Sequence, residues 1–302
     1  MKQINKGILL AFTASVISGI AIFYSKLSVA QIPPLVLTTG RNTYVAVLFL
    51  FLILFSGKIK EVKKLTRGQV IRLTLIGLIG GAVPFYLFFS GLSYISAIQA
   101  NLIQKSLFIW VSLLALIFLK EKLNKVYLVA FILIAAANFY FAKIDFSIGK
   151  GELMVLAATL LWSFETVIAK KTIKHVSTEL VGFFRMGIGS VLLLVTSFAT
   201  GNISTLLAIN ASQMIIIFVG GTILFFYVFS WYKGLKYAPA SLVTLILTFA
   251  VVVGNVLNGS FAGVKLMPKD IYSSILTILA VVILFVFNFC VKLKPQISKI
   301  KT

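Results

Sequence analysis

The chain has 302 residues, of which 60% are hydrophobic and only 12% charged, with a mean hydropathy of +1.07. A soluble domain averages roughly 45–50% apolar because it must present polar groups to water, so this composition excludes a water-soluble globular fold and makes lipid the solvent. The 28 Lys and Arg against 7 Asp and Glu give a formal charge of +21. That charge does not mark a nucleic-acid surface, because nearly all of it sits in short gaps between apolar runs, where it acts as a topology signal.

A transmembrane helix needs about 20 apolar residues to cross roughly 30 Å of hydrocarbon. In chain order, runs near 7–25, 34–55, 71–92, 97–119 and 126–142 predict five spans in the first half. Runs near 151–169, 179–200, 213–232, 239–261 and 271–291 predict five more. No gap between them holds a soluble domain. With a cytoplasmic N-terminus, 20 basic residues fall in inner loops and 5 in outer loops, leaving Arg41, Lys105 and Arg185 inside spans. The positive-inside rule then puts both termini in the cytoplasm. The Lys- and Ile-rich usage suggests a prokaryotic plasma membrane as the location. The single Cys290 lies in the last apolar run and excludes an internal disulfide.

Shifted by 144 residues, the chain registers on itself. Lys6-Gly7 falls on Lys150-Gly151, Lys26 on Lys170, Arg41 on Arg185, and Ser56-Gly57-Lys58-Ile59 on Thr200-Gly201-Asn202-Ile203. After one deletion, Gly91 to Ala97 falls on Gly234 to Ala240 and Lys122-Leu123 on Lys265-Leu266. Residues 1–145 and 146–302 are therefore read as two five-helix repeats. Five is odd, so the second repeat enters the membrane from the opposite face. The predicted fold is an all-α integral membrane protein of ten transmembrane helices arranged as two inverted five-helix repeats. Inverted repeats characterise secondary transporters, in which two halves exchange conformations around one central site.

Arg41 and Arg185 early in the second helix of each repeat, Phe118-Leu119-Lys120-Glu121-Lys122-Leu123 closing the fourth helix, and Gly151 with Trp162 in the sixth carry a resemblance. With them, essentially the whole chain resembles the drug/metabolite transporter superfamily, in particular the EamA-type ten-helix exporters. Three features depart from that pattern. Leu107-Phe108 and Ala250-Val251 stand where the family often has Pro in the fourth helix of each repeat; Glu121 has Val264 as its counterpart; and Lys105 lies within a span. The resemblance implies export or uptake of amino acids, nucleosides or other small metabolites, driven by gradients without ATP.

A charge at mid-membrane costs about 2.5–3.5 kcal/mol on insertion scales and is usually retained for a purpose. Arg41 and Arg185, being symmetry mates, are assigned to the scaffold as structural intramembrane charges. Lys105 and Glu165 break the symmetry, since their counterparts are Thr248 and Ala21. They straddle the midplane and either form a salt bridge or leave room for a small zwitterion, whose carboxylate would meet Lys105 and whose amine would meet Glu165. Asn101, Gln104 and Lys105 share one helix face, Trp162 stands one turn before Glu165, and Thr248 and Asn255 belong to one stripe of the ninth span. Tyr227 and Trp231 do the same in the eighth. These residues, with Tyr86, are the candidate substrate contacts, although hydroxyls and amides also join membrane helices at about 0.6 kcal/mol each. Gly77, Gly81, Gly187, Gly189, Gly220 and Gly221 are expected to let helices approach closely.

One His, one Cys and the absence of a phosphate-binding loop motif leave neither a metal nor a cofactor expected. The expected partners are a small-molecule substrate and the lipid bilayer, with no nucleic acid, in a monomer or homodimer. The resulting expectation is a secondary transporter, working as an exporter of small amphipathic metabolites. The competing classes are a membrane scaffold or sensor and a lipid-acting membrane enzyme, for which no reactive cluster is present in the sequence.

Overall fold

A computed structural model describes residues 2–122, 124–141 and 149–289; Cys290 and the last residues of the tenth span lie outside them. Among the described residues, nine helices are long and apolar enough to cross a bilayer, and a shorter apolar helix supplies the tenth. They are α1 (Lys2–Val29), α2 (Pro34–Phe55), α3 (Arg67–Tyr94), α4 (Ala97–Leu119), α5 (Lys125–Ala135, continued by a π-helical turn Ala136–Phe141), α6 (Lys150–Thr172), α7 (Thr178–Ala199), α8 (Ala211–Tyr237), α9 (Ala240–Phe261) and α10 (Pro268–Phe289). Every span read from the sequence has its helix. No strand is present among the described residues.

The packing repeats with two-fold logic. Helix α1 packs on α8 and α9, as α6 packs on α3 and α4; α2 crosses α7, α4 crosses α9, and α5 lies along α10. Local chemistry repeats too. Gly57 and Gly201 end α2 and α7 with φ of 67° and 72°, a left-handed turn that suits Gly because it has no Cβ to clash. Each turn leads into a short helix, Ile59–Val62 in one repeat and Ile203–Leu207 in the other. Helices α3 and α8 then begin with equivalent capping boxes, Thr66 with Gln69 and Asn210 with Gln213, which satisfy the orphan N–H groups of a first turn.

Two lysines complete the symmetry. Lys26 donates to the carbonyls of Leu92 and Ile95, both at 2.8 Å, at the end of α3. Its mate Lys170 donates to Leu235 and, at 2.7 Å, to Ala238, at the end of α8. A cation that answers the last carbonyls of a helix also complements its dipole. Because α3 and α8 end on opposite faces of the bundle, the two repeats are fastened from opposite sides.

The fourth helix of each repeat is not continuous. Helix α4 is broken at Ser106 and α9 at Thr248-Phe249, adjacent positions under the repeat register. No proline does this. Ser106 Oγ donates to the Ile103 carbonyl at 2.7 Å and Thr248 Oγ1 to Leu245 at 2.6 Å. A hydroxyl bonded back to its own helix competes with the backbone and bends it. Helix α3 departs differently, through a π-helical turn at Gly77–Ala82 just before Pro84. There a Cβ on Gly81 would strike the Arg185 carbonyl and one on Gly189 would strike Gly81, so the backbones of α3 and α7 touch.

Candidate functional site

Between the repeats lies a central cavity. Phe85, Phe88 and Phe89 of α3, Leu107 of α4, Trp162 of α6, and Leu224 and Trp231 of α8 give it apolar walls. Its polar lining comes from Ser18 and Ser25 of α1, Arg41 of α2, Gln104 of α4, Glu165 of α6, Arg185 of α7 and Tyr227 of α8. Both repeats contribute.

Arg41 lies seven residues into α2 and Arg185 seven into α7, so each sits about 10 Å inside its helix at 1.5 Å per residue. The helices start on opposite faces, which sets one guanidinium toward each end of the cavity. Both are buried, at 2% and 3% exposure. The aromatic faces of α3 serve both, with Phe89 5.4 Å from Arg41 and Phe85 5.6 Å from Arg185.

The environments of the two arginines differ. Pro84 has no N–H to return to the Gly80 carbonyl four residues back, and that carbonyl instead accepts from Trp162 Nε1 at 3.0 Å and Arg185 Nε at 3.1 Å. Arg185 also lies 3.8 Å from Glu165 Oε2, while the Tyr232 hydroxyl donates to Glu165 Oε1 at 2.6 Å and accepts from Arg185 at 3.3 Å. This is a closed network of paired charge. Arg41 instead donates to two hydroxyls, Ser25 at 2.9 Å and Ser28 at 2.7 Å, and its Nε–H has no partner.

The structure separates the sequence candidates. Glu165, Trp162, Gln104, Tyr227 and Trp231 line the cavity, and Tyr227 stacks on Trp231 at 6.3 Å. Lys105 stands immediately behind the wall, 1% exposed, donating to Ser18 at 2.8 Å and to Gln104 at 2.7 Å. The alternative of a Lys105–Glu165 salt bridge is not realised, because Glu165 is taken by Arg185 and Tyr232. Asn101 bridges instead to the Ala250 carbonyl of α9 at 2.9 Å, and Asn255 to Asp270 and Ser274 of α10. Thr248 spends its hydroxyl on the break in α9. Tyr86 is 39% exposed on the outside of α3, one position past the cavity-facing Phe85. These four lie outside the cavity lining. Arg41 and Arg185, read as scaffold, both line it.

Sequence reasoning missed Tyr232, Phe85, Phe88 and Phe89, and the hydroxyls of α1. Ser18, Ser25 and Ser28 at i, i+7 and i+10 share a helix face, and that stripe was the available signal. In a chain with 27 Phe, nothing marked the three that face inward.

Comparisons with known proteins agree with this architecture. The EamA-like transporter family matches residues 5–141 and again 149–286. An uncharacterized transporter of Bacillus subtilis (strain 168), YyaM, is 26% identical over 297 residues, covering 93% of each chain. A second from the same organism, YoaV, is 29% identical over 180 residues, covering 57% of this chain and 60% of that protein. A solved structure titled only as the crystal structure of a protein shares 18% identity and a TM-score of 0.71 over 92% of this chain and 95% of that one, a likeness of fold alone. The chain belongs to the EamA-like transporter family and is a multi-pass membrane transporter.

Proposed function

We propose that the protein is a gradient-driven secondary transporter, working as an exporter of small amphipathic metabolites such as amino acids, by alternating access of its inverted repeats. The observation that carries this reading is the central cavity, lined by both repeats, with symmetry-related guanidiniums toward its two ends and a broken fourth helix in each half. Discontinuous helices near the midplane place backbone and side-chain polar groups where a solute can meet them. The mostly aromatic and aliphatic walls, with a few convergent polar groups, suit a molecule with an apolar body and a polar end. The excess of basic residues in the loops on the N-terminal face supports a cytoplasmic location for that face and for both termini.

Reconstitution tests the reading. Purified protein in liposomes, loaded with a metabolite mixture, should show saturable counterflow of at least one component without ATP. Trp231→Ala should lower its apparent affinity about tenfold, the loss of one large apolar contact. Absence of any flux beyond that of empty liposomes would favour a scaffold or sensor instead.

A further inference from the structure

The two ends of the cavity are built on one plan but face their guanidiniums with different groups. At the Arg185 end, Glu165 supplies a carboxylate and Tyr232 a hydroxyl. Under the repeat register the counterpart of Glu165 is Ala21, and that of Tyr232 is Phe89. Ala21 and Phe89 both line the cavity beside Arg41, so the first repeat places a methyl group and a bare ring where the second places an acid and a phenol. Arg41 keeps a buried, unpartnered Nε–H, and among the described residues no ion pair includes it. A Cβ on Gly220 would meet its guanidinium, so α8 is cut back to let the group lie at the cavity wall. A buried guanidinium without a counter-charge is costly, and a carboxylate is the group that matches its fork.

We propose that Arg41 is the receptor for a carboxylate carried by the transported molecule, which occupies beside Ala21 the place that Glu165 fills in the other repeat. This rests on the transport reading above. The apolar body of the substrate lies against Phe85, Phe88, Leu224 and Trp231, which wall the same cavity. Among the described residues the one carboxylate of the lining, Glu165, is already held by Arg185 and Tyr232, so a cationic amphiphile finds no free counter-charge there. The substrate class is therefore a carboxylate with an apolar body, amino acids included, and excludes cations that lack an acid group.

The test uses three probes with one phenylethyl body on the purified full-length protein: 3-phenylpropanoate, 3-phenylpropanamide and 2-phenylethylammonium, each followed by tryptophan fluorescence and thermal shift. The wild type should bind the carboxylate at least about tenfold more tightly than the other two, the usual worth of a charge-assisted contact. Arg41→Gln should remove that preference. Ala21→Glu, which supplies the acid from within, should abolish carboxylate binding while holding the thermal midpoint at or above that of the wild type. Equal binding of all three probes by the wild type, binding of none, or carboxylate binding undiminished in both variants would each overturn the proposal. Flux of the metabolite mixture in liposomes reads the transport function separately, so cation or neutral-solute flux would refute the carboxylate receptor and leave the transporter standing.

Discussion

Glu121, two residues past the end of α4, holds the start of α9 by accepting from the Ser241 hydroxyl at 2.7 Å, from the Ser241 N–H at 3.1 Å and from the Ala240 N–H at 2.7 Å. The residue before that helix is Pro239, whose side chain cannot cap. Under the repeat register its counterpart is Ser96, which caps its own helix by accepting from Gln99 N–H at 3.1 Å, and the counterpart of Glu121 is Val264. Each repeat thus solves the same orphan-donor problem once, by a different residue. Removing the carboxylate in Glu121→Ala should cost about 1–3 kcal/mol, the range for buried donors left unmet. Thermal unfolding in detergent should show the loss, and Pro239→Ser in that background should recover part of it. No recovery would mean that Glu121 acts through something other than the cap.

The paired charges of α6 and α7 give a graded expectation. Glu165→Gln keeps an acceptor for the Tyr232 hydroxyl, whereas Glu165→Ala removes it and leaves Arg185 without its carboxylate. The alanine variant should therefore unfold at a clearly lower temperature than the glutamine variant, since breaking one side of a buried pair typically costs about 3–5 kcal/mol.

Among the described residues Glu165 is also the one acid in the cavity lining, facing Arg185, Tyr227 and Tyr232, and we propose it as the group through which a proton gradient couples. In liposomes, Glu165→Gln should carry solute with no response to an imposed pH gradient. A response equal to that of the wild type would assign coupling elsewhere.

Lys26 and Lys170 each fasten two terminal carbonyls of a neighbouring helix, on opposite faces of the bundle. Lys26→Met and Lys170→Met should each lower the thermal midpoint. The double variant should show the sum to within about 0.5 kcal/mol, because the sites share no partner. A double variant no worse than either single one would show that only one staple contributes.

Tyr86 and Trp231 were candidates for the same task and now separate. Tyr86 is on the outside of α3 and Trp231 is 2% exposed within the cavity wall. Tyr86→Ala should leave substrate affinity within twofold of the wild type, in the counterflow assay in which Trp231→Ala weakens it about tenfold.

The fold was readable because span length and basic-loop bias are signals written in composition, and because Lys26, Arg41 and Gly57 have mates at one offset. The site was readable only in part. Residue depth placed Glu165 and Lys105 near the midplane, but depth says nothing about azimuth, so the apparent Lys105–Glu165 pair gave way to Glu165–Arg185. Symmetry misled in the other direction. A residue present in both halves was assigned to structure, yet Arg41 and Arg185 both line the central cavity between the halves. The breaks at Ser106 and Thr248 escaped notice because a hydroxyl bonding back to its own helix leaves no mark in hydropathy.

The central claim is that the repeats lie in opposite senses across the bilayer, and equivalent loops test it most directly. Lys58 and Asn202 follow the two left-handed glycines at equivalent repeat positions. In a Cys290→Ser background, Asn202→Cys should react with an impermeant maleimide in intact cells, and Lys58→Cys only after permeabilisation. If both reacted from the same side, the two halves would be parallel, and the symmetric cavity with its alternating access would have no basis.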